Sequence, residues 1–428
     1  MPSINLSDAS LLLLPPPPEP PTAETVWLAY HKPLDATISR LSNEHKINTS
    51  GGTGPTLIVA IVCSILTPDQ DDRRLIYWHR LQALLAQIYS LLAAICENRS
   101  IATDLGADDP GAVDSRVVLV NHNRAAERLR RQNPRGVCGP NNTAVLDLAA
   151  FASIDYPWNS VFHTGCEQGY ELLAYFLKYS ECRRKLQHKQ LVAVEGGLSF
   201  SKPAAATVTN QNPGDSGFDS RDGYSKVCLG GTFDHLHLGH KLFLHAAVLL
   251  LNIRGTGGKS GHQCELVVGI SSDELLATKQ YAEELQSWDV RARSVLHFLS
   301  TLLSTSPAAP VQFEAVVAET KELHACYRNG SILVRCVDFH DVYGPTVKEE
   351  AIEALVVSGE TRSGGDLVNK KRHSQGWSML NVYEINVLDT VSYTEPGKQR
   401  QGAVGHFGSK ISSTDIRRQK AEGREAAS

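Results

Sequence analysis

Nine cysteines are scattered through the 428 residues without a single CxxC pair. That absence excludes a zinc ribbon, and an odd count argues against a disulfide frame, so the thiols read as free buried groups of an intracellular chain. A surplus of positive charge is also missing. Lys plus Arg number 42 against 46 for Asp plus Glu, a net charge of −4. This excludes a bulk nucleic-acid or anionic-membrane surface and confines any phosphate recognition to a local site. No long apolar run stands out. The four leucines Leu11 to Leu14 have no basic residue before them and four prolines, Pro15 to Pro18, directly after. Neither a membrane span nor a secretory leader is predicted, and the cytoplasm is the expected location. No carboxylate cage for a metal is visible.

The length and the 42% hydrophobic content are enough for two cores rather than one. Residues 1–25 are Pro-rich and are expected to form a disordered, solvated tail. A smaller N-terminal α/β domain of unassigned role follows over 26–198, with a buried strand at 57–65 and short strands at 117–120 and 191–194. Its leucines and isoleucines at 81, 84, 85, 88, 91, 92 and 95 fall at helical spacing. Arg128, Arg130, Arg131 and Arg135 read as a solvated basic helix face, and Asp69-Gln70-Asp71-Asp72 as an acidic first helical turn. Ser, Pro, Asn, Gly and Asp dominate 199–225, which marks a flexible linker. From 226 to 428 apolar strands are predicted at 226–231, 265–270, 311–317, 332–337, 354–358 and 382–388. Amphipathic helices at 239–252 and 288–304 separate them, the pattern of a parallel sheet covered on both faces. Gly258-Lys259-Ser260 is rejected as a phosphate loop, because no glycine stands at 253 and the segment precedes a strand.

The chemistry concentrates where the strand ending at Gly230-Gly231 meets the helix beginning near Gly239. Paired glycines let backbone approach a polyphosphate, and Thr232, His237 and His240 offer donors to it. The helix N-terminus adds unpaired N–H groups and a positive dipole end. In order along the chain stand Gly230-Gly231-Thr232-Phe233-Asp234-His235-Leu236-His237-Leu238-Gly239-His240, then Val267-Val268-Gly269-Ile270-Ser271-Ser272-Asp273-Glu274 with Lys279. Asp341-Val342-Tyr343-Gly344-Pro345-Thr346 and Val357-Ser358-Gly359-Glu360-Thr361 follow, and Lys410-Ile411-Ser412-Ser413-Thr414-Asp415-Ile416-Arg417 closes the set. Over about 224–425 this series resembles the eukaryotic-type phosphopantetheine adenylyltransferases of the HxGH nucleotidyltransferase superfamily.

The resemblance implies a Rossmann-like doubly wound parallel sheet, the nucleotidyltransferase fold. It also implies attack by the phosphate of 4′-phosphopantetheine on the α-phosphorus of ATP, giving dephospho-coenzyme A and pyrophosphate without a protein nucleophile. Catalysis then consists of alignment and neutralisation of charge. His240, with His237 and Lys279, is implied as catalytic. Gly230, Gly231, Thr232, Phe233, Gly239, Gly359, Glu360, Lys410, Ser412, Ser413, Thr414 and Arg417 are implied to meet ATP. Thr232, Lys279, Arg291 and Asp341 are implied to meet the acceptor, with Arg291 alternatively structural and Asp341 alternatively a turn former. Asn369 and Arg372 are placed near the triphosphate. Asp234 either assists indirectly or braces backbone amides. Magnesium is expected to arrive with ATP.

Two features depart from the family pattern: an insert at 255–262, and an end at Ser428 that leaves no stretch for a fused kinase, so the next step is expected from a separate protein. Other superfamily transferases, acting on nicotinamide mononucleotide or using CTP, share the HxGH turn and stay open. A scaffold with a decayed site is a further alternative. The N-terminal domain is expected to dock other enzymes of coenzyme A synthesis.

Overall fold

The computed structural model describes residues 9–47, 52–68, 74–123, 141–181, 185–198, 223–253, 263–305, 313–317, 321–389 and 412–427. The acidic turn at 69–72, the arginines at 128–135, linker residues 199–222, the insert at 255–262 and Lys410 lie outside them.

The first sheet is built from β1 (Ser10–Leu14), β2 (Thr56–Cys63), β5 (Asp114–Asn121), β6 (Leu146–Asp147), β7 (Val161–Thr164) and β8 (Leu191–Val194), with a two-residue ribbon of β3 (Thr67–Pro68) and β4 (Arg74–Leu75) beside it. Its order is β6-β5-β2-β1-β7-β8, and every pairing is parallel. The expectation of a solvated tail at 1–25 is corrected for the described residues 9–25. Leu11 to Leu14 are completely buried in a central strand, because an unbroken apolar run suits a strand covered on both faces. The proline run then stops the strand by removing N–H donors, and Tyr30 Oη donates to the Pro15 carbonyl at 2.7 Å.

Helix Trp78–Asn98 corrects the reading that no long apolar run exists. It is long and apolar enough to cross a membrane, but its apolar stretch is mostly buried in the protein. The helix packs against helix Ala23–Ile47 and helix Leu238–Val248, as a buried helix of the core.

The second sheet runs β11-β12-β13-β10-β9-β14-β15, from β9 (Lys226–Gly231), β10 (Cys264–Ser271), β11 (Phe313–Val317), β12 (Lys321–Tyr327), β13 (Ile332–Phe339), β14 (Ala354–Ser358) and β15 (Asn381–Ile385). Five strands from β13 to β15 are parallel, and β11 and β12 add an antiparallel edge. This is the doubly wound, Rossmann-like sheet of a nucleotidyltransferase. The strand order reverses at β9 and β14, and the crevice outside the carboxyl ends of such strands is the ligand position of these folds. Strand β12 was not anticipated. Lys321, Glu322 and His324 break its apolar pattern, while Leu323, Ala325 and Tyr327 turn inward by alternation.

The two halves share one continuous hydrophobic core rather than standing as units tied only by a linker. Trp78 Nε1 donates to the Ala246 carbonyl at 2.8 Å, and Arg328 donates to the Thr143 and Ala144 carbonyls at 2.8 and 2.6 Å. At the seam, the fully buried Lys241 donates to Asp114 Oδ1 at 2.6 Å and to the Thr103 and Ser115 carbonyls at 2.9 and 3.1 Å. Arg116 donates to Asp114 Oδ2 at 2.6 and 2.9 Å and to Thr301 Oγ1 at 2.6 Å. Burial alone would raise the Asp114 carboxyl, yet the Arg116 and Lys241 charges outweigh it and hold its pKa down to about 2.

Candidate active site

β9 ends at Gly230-Gly231, a loop covers 232–236, and His237 is the N-cap residue of helix Leu238–Val248. A Cβ on Gly230 would meet nothing within 4 Å, so the space above this backbone is open. At Gly231 it would meet the Phe233 ring at 3.1 Å. The loop is strained, since Phe233 and His235 have φ of 52° and 44°, left-handed values that cost a residue with a Cβ. Surrounding contacts over-determine it. Phe233 is completely buried against Phe243 and His240. Asp234, also fully buried, accepts the Gln286 N–H at 3.0 Å and Arg417 Nη1 at 2.6 Å. The His235 N–H donates to Gln286 Oε1 at 2.9 Å, and Arg291 Nη1 donates to the Thr232 carbonyl at 2.8 Å.

This brace presents His237 and His240 as a stacked pair, with ring centroids 3.9 Å apart and planes within 20°. Burial, with the neighbouring His240, pushes the His237 pKa well below 6.5. Burial, then the charge of His235, pushes His240 down to about 3. Both rings are therefore neutral at pH 7, each with one N–H to donate. Their Nδ1 atoms have no hydrogen-bond partner among the described residues, a costly state that an entering ligand would relieve.

At Gly239 a side chain would crowd the His237 ring. A Cβ there would sit 3.2 Å from both Cε1 and Nδ1 of His237, so Gly239→Ala is expected to push that ring off its partner. At a site that requires alignment to within about 1 Å, we expect a ten- to hundredfold loss of kcat, on the order of the penalty for such misplacement. The circular dichroism spectrum should be unchanged. Steady-state kinetics beside that spectrum checks it, and an unaltered kcat would show the stack to be dispensable.

The structure brings the C-terminal segment onto this loop. Ser413 Oγ donates to the Asp234 carbonyl at 2.9 Å and lies 3.4 Å from His237 Nε2. Ser412 exchanges bonds with Asp415, its Oγ donating to Oδ2 at 2.6 Å and accepting the Asp415 N–H at 3.2 Å, which fixes the start of helix Ser413–Ala427. Thr232 is half-buried at the loop entrance, and Lys279 is exposed beyond the end of β10. Gly359 and Glu360 are exposed after β14, which neighbours β9, and so share the carboxyl edge of the sheet.

Several expected ligand contacts are instead internal braces. Arg417, 2% exposed, spends its guanidinium on Asp234, the Gln280 carbonyl and Thr414 Oγ1, so it is not extended toward a triphosphate. Arg291 is fully buried against the Thr232 and Gln286 carbonyls and Asp273, which selects its structural alternative. The ring of Phe233 supports the loop from behind. Asp341 Oδ1 accepts the Tyr343 and Gly344 N–H groups at 2.8 Å each, the turn-forming alternative. Asn369 clamps the backbone of Leu380, and Arg372 donates to carbonyls at Thr346, Glu349, Glu350, Ile352 and Ser378. Arg291, Arg372 and Arg417 share one reason: a buried guanidinium must be neutralised or hydrogen-bonded by protein groups. Sequence reasoning missed Gln286 and Asp104, which carry no motif of their own. Among the described residues no group of three or more His, Cys, Asp or Glu is placed to hold a metal ion.

Residues 228–419 match the family model described as Cytidylyltransferase-like, and residues 1–200 match one described as Domain of unknown function (DUF8446). The phosphopantetheine adenylyltransferase of Saccharomyces cerevisiae is 35% identical over 192 residues, 45% of this chain and 47% of that protein. Those of Pyrococcus furiosus and Thermococcus gammatolerans are 32% and 30% identical over 165 and 197 residues, covering 39% and 46% of this chain. The match spans about half of the yeast protein, but 79% and 90% of the two archaeal ones. With the HxGH turn, the doubly wound sheet and these relatives together, the chain belongs to the phosphopantetheine adenylyltransferase family of nucleotidyltransferases.

Proposed function

We propose that the chain transfers the adenylyl group of Mg-ATP to the phosphate of 4′-phosphopantetheine, releasing pyrophosphate and forming dephospho-coenzyme A in the cytoplasm. The observation that carries this reading is the meeting of His237, His240 and Ser413 at the carboxyl end of β9, beside open space over Gly230. The acceptor phosphate oxygen attacks the α-phosphorus while the bond to the bridging oxygen breaks and pyrophosphate leaves. Negative charge on the α-phosphoryl oxygens is met by donors already in place. Neutral imidazole N–H groups suit this role because they enter without a counter-ion to displace, and the approaching anion favours their protonation.

Gly230 and Gly231 offer close backbone approach, and helix Leu238–Val248 points its N-terminus at the same space. Thr232 and the exposed Lys279 are assigned to the acceptor phosphate. Ser412, Ser413 and Thr414 are assigned to the β- and γ-phosphates, and Gly359 and Glu360 to the nucleoside. Magnesium enters as part of the nucleotide substrate, with waters completing its shell.

The test is turnover with Mg-ATP and 4′-phosphopantetheine, following pyrophosphate and dephospho-coenzyme A together. The two products are expected in equal amounts. Pyrophosphate release with nicotinamide mononucleotide alone, or with CTP in place of ATP, would overturn the substrate assignment.

A further inference from the structure

The two left-handed residues of the HxGH loop need restraint from outside the loop, and part of it comes from the other half of the chain. Asp104, 6% exposed, places Oδ2 at 3.7 Å from His235 Nδ1. That spacing is an ion pair rather than a hydrogen bond. The next residue, Leu105, donates its N–H to the Leu236 carbonyl at 3.1 Å. On its other edge, His235 Nε2 lies 3.0 Å from the Glu284 carbonyl, an acceptor only, so Nε2 carries a proton. A carboxylate facing Nδ1 favours a proton there as well. The two acceptors thus favour the imidazolium form of His235, one residue from Leu236 and two from His237.

We propose that Asp104, on the N-terminal half, is a positioning residue of the transferase site: it anchors the His235 imidazolium and thereby sets the loop that carries His237 and His240. This rests on the adenylyltransferase reading of the site. Archaeal relatives that match over 79% and 90% of their own length cover 39% and 46% of this chain. In this chain the first half supplies one wall of the transferase half's catalytic loop.

The charges around the pair agree with the geometry. Burial alone would lower the His235 pKa, but Asp104, the Glu284 carbonyl and Asp234, whose Oδ1 is 3.9 Å from Nε2, outweigh it and leave it above 6.5. Burial would raise Asp104, yet His235 and Lys420 together leave it lowered. Lys241 also faces Asp104. His237 and His240 face His235 and are held neutral partly by its charge, and Arg417 neutralises Asp234. The sign follows. A histidine with a raised pKa keeps its ion pair below that pKa and loses it as pH rises through it, so activity is expected to fade as pH rises through the raised His235 pKa.

Asp104→Asn tests this in the full chain. We expect kcat at pH 7.5 to fall about tenfold, as for loss of about one charge-assisted contact. The KM for ATP should stay within about threefold, and the alkaline limb should move to lower pH. The NMR titration midpoint of His235 should drop by about one unit, the size expected for loss of a neighbouring opposite charge. An unshifted midpoint with unchanged kcat overturns the proposal, and so does a lowered melting temperature with both unchanged. Should this variant not fold, His235→Gln keeps an N–H for the Glu284 carbonyl without the charge. It is expected to show the same kcat loss, and full activity in it overturns the proposal. The titration needs no substrate, so it decides this inference separately. Absence of turnover in the unsubstituted chain would sink the proposed function alone.

Discussion

His240→Ala is expected to reduce kcat for adenylyl transfer about a hundred- to thousandfold, roughly 3–4 kcal/mol of barrier, the usual loss when one preorganised donor to transition-state charge is removed. His240 stands in the first turn of its helix, stacked on His237 and backed by Phe233 at a centroid distance of 5.3 Å, so its ring has little freedom to lose when the reaction begins. Its pKa, pushed down to about 3, keeps it neutral through the working pH range. The acid limb of the free enzyme should therefore not report its titration. The KM for ATP should change far less than kcat, because the interaction strengthens as charge builds on the α-phosphoryl group. Steady-state pyrophosphate release checks this, and turnover within about threefold of the unsubstituted chain would remove His240 from the mechanism.

Asp114→Ala should have the largest effect on stability. It removes the one carboxylate between Lys241 and Arg116, which are 0% and 1% exposed. Two buried cations would then face each other, and breaking such a pair costs about 3–5 kcal/mol. That is a large share of the roughly 5–15 kcal/mol that stabilises a folded domain. Lys241 directly follows His240, so activity should fall with stability. Equilibrium urea unfolding at pH 7 measures the change, and a loss under about 1 kcal/mol, within the range of exposed pairs, would show the cluster to be solvated. The pH dependence has the opposite sign to that of His235. Because the folded pKa of about 2 lies below the unfolded value, the stabilisation is complete above the ordinary carboxylate range and is lost as pH falls toward 2.

The transferase half was legible because its signals are local. Apolar strands alternating with amphipathic helices specified a parallel sheet, and the observed strands β9, β10, β13 and β14 fall within a few residues of the expected ones. Gly230-Gly231 and Gly239 are turn and close-approach residues whose need arises within a few positions of themselves, so the site's outline was readable. Strand β12, paired between β11 and β13, was not, since Lys321, Glu322 and His324 interrupt the apolar alternation that marks a strand.

By itself the sequence determined the sheet type and the position of the HxGH turn, because periodicity and turn chemistry depend on neighbours a few residues away. Only the tertiary structure decided where each charge went. Arg291, Arg372 and Arg417 look alike in sequence to phosphate-binding arginines, yet all three are buried on protein acceptors. Leu11 to Leu14 became the centre of a sheet because partners β2 and β7, about 45 and 150 residues away, cover both edges. Asp104 reached the loop at 232–236, and Asp114 the helix that follows it, across the fold, 131 and 127 positions from His235 and Lys241 in sequence. Charge burial is decided by long-range pairing, which no local pattern encodes.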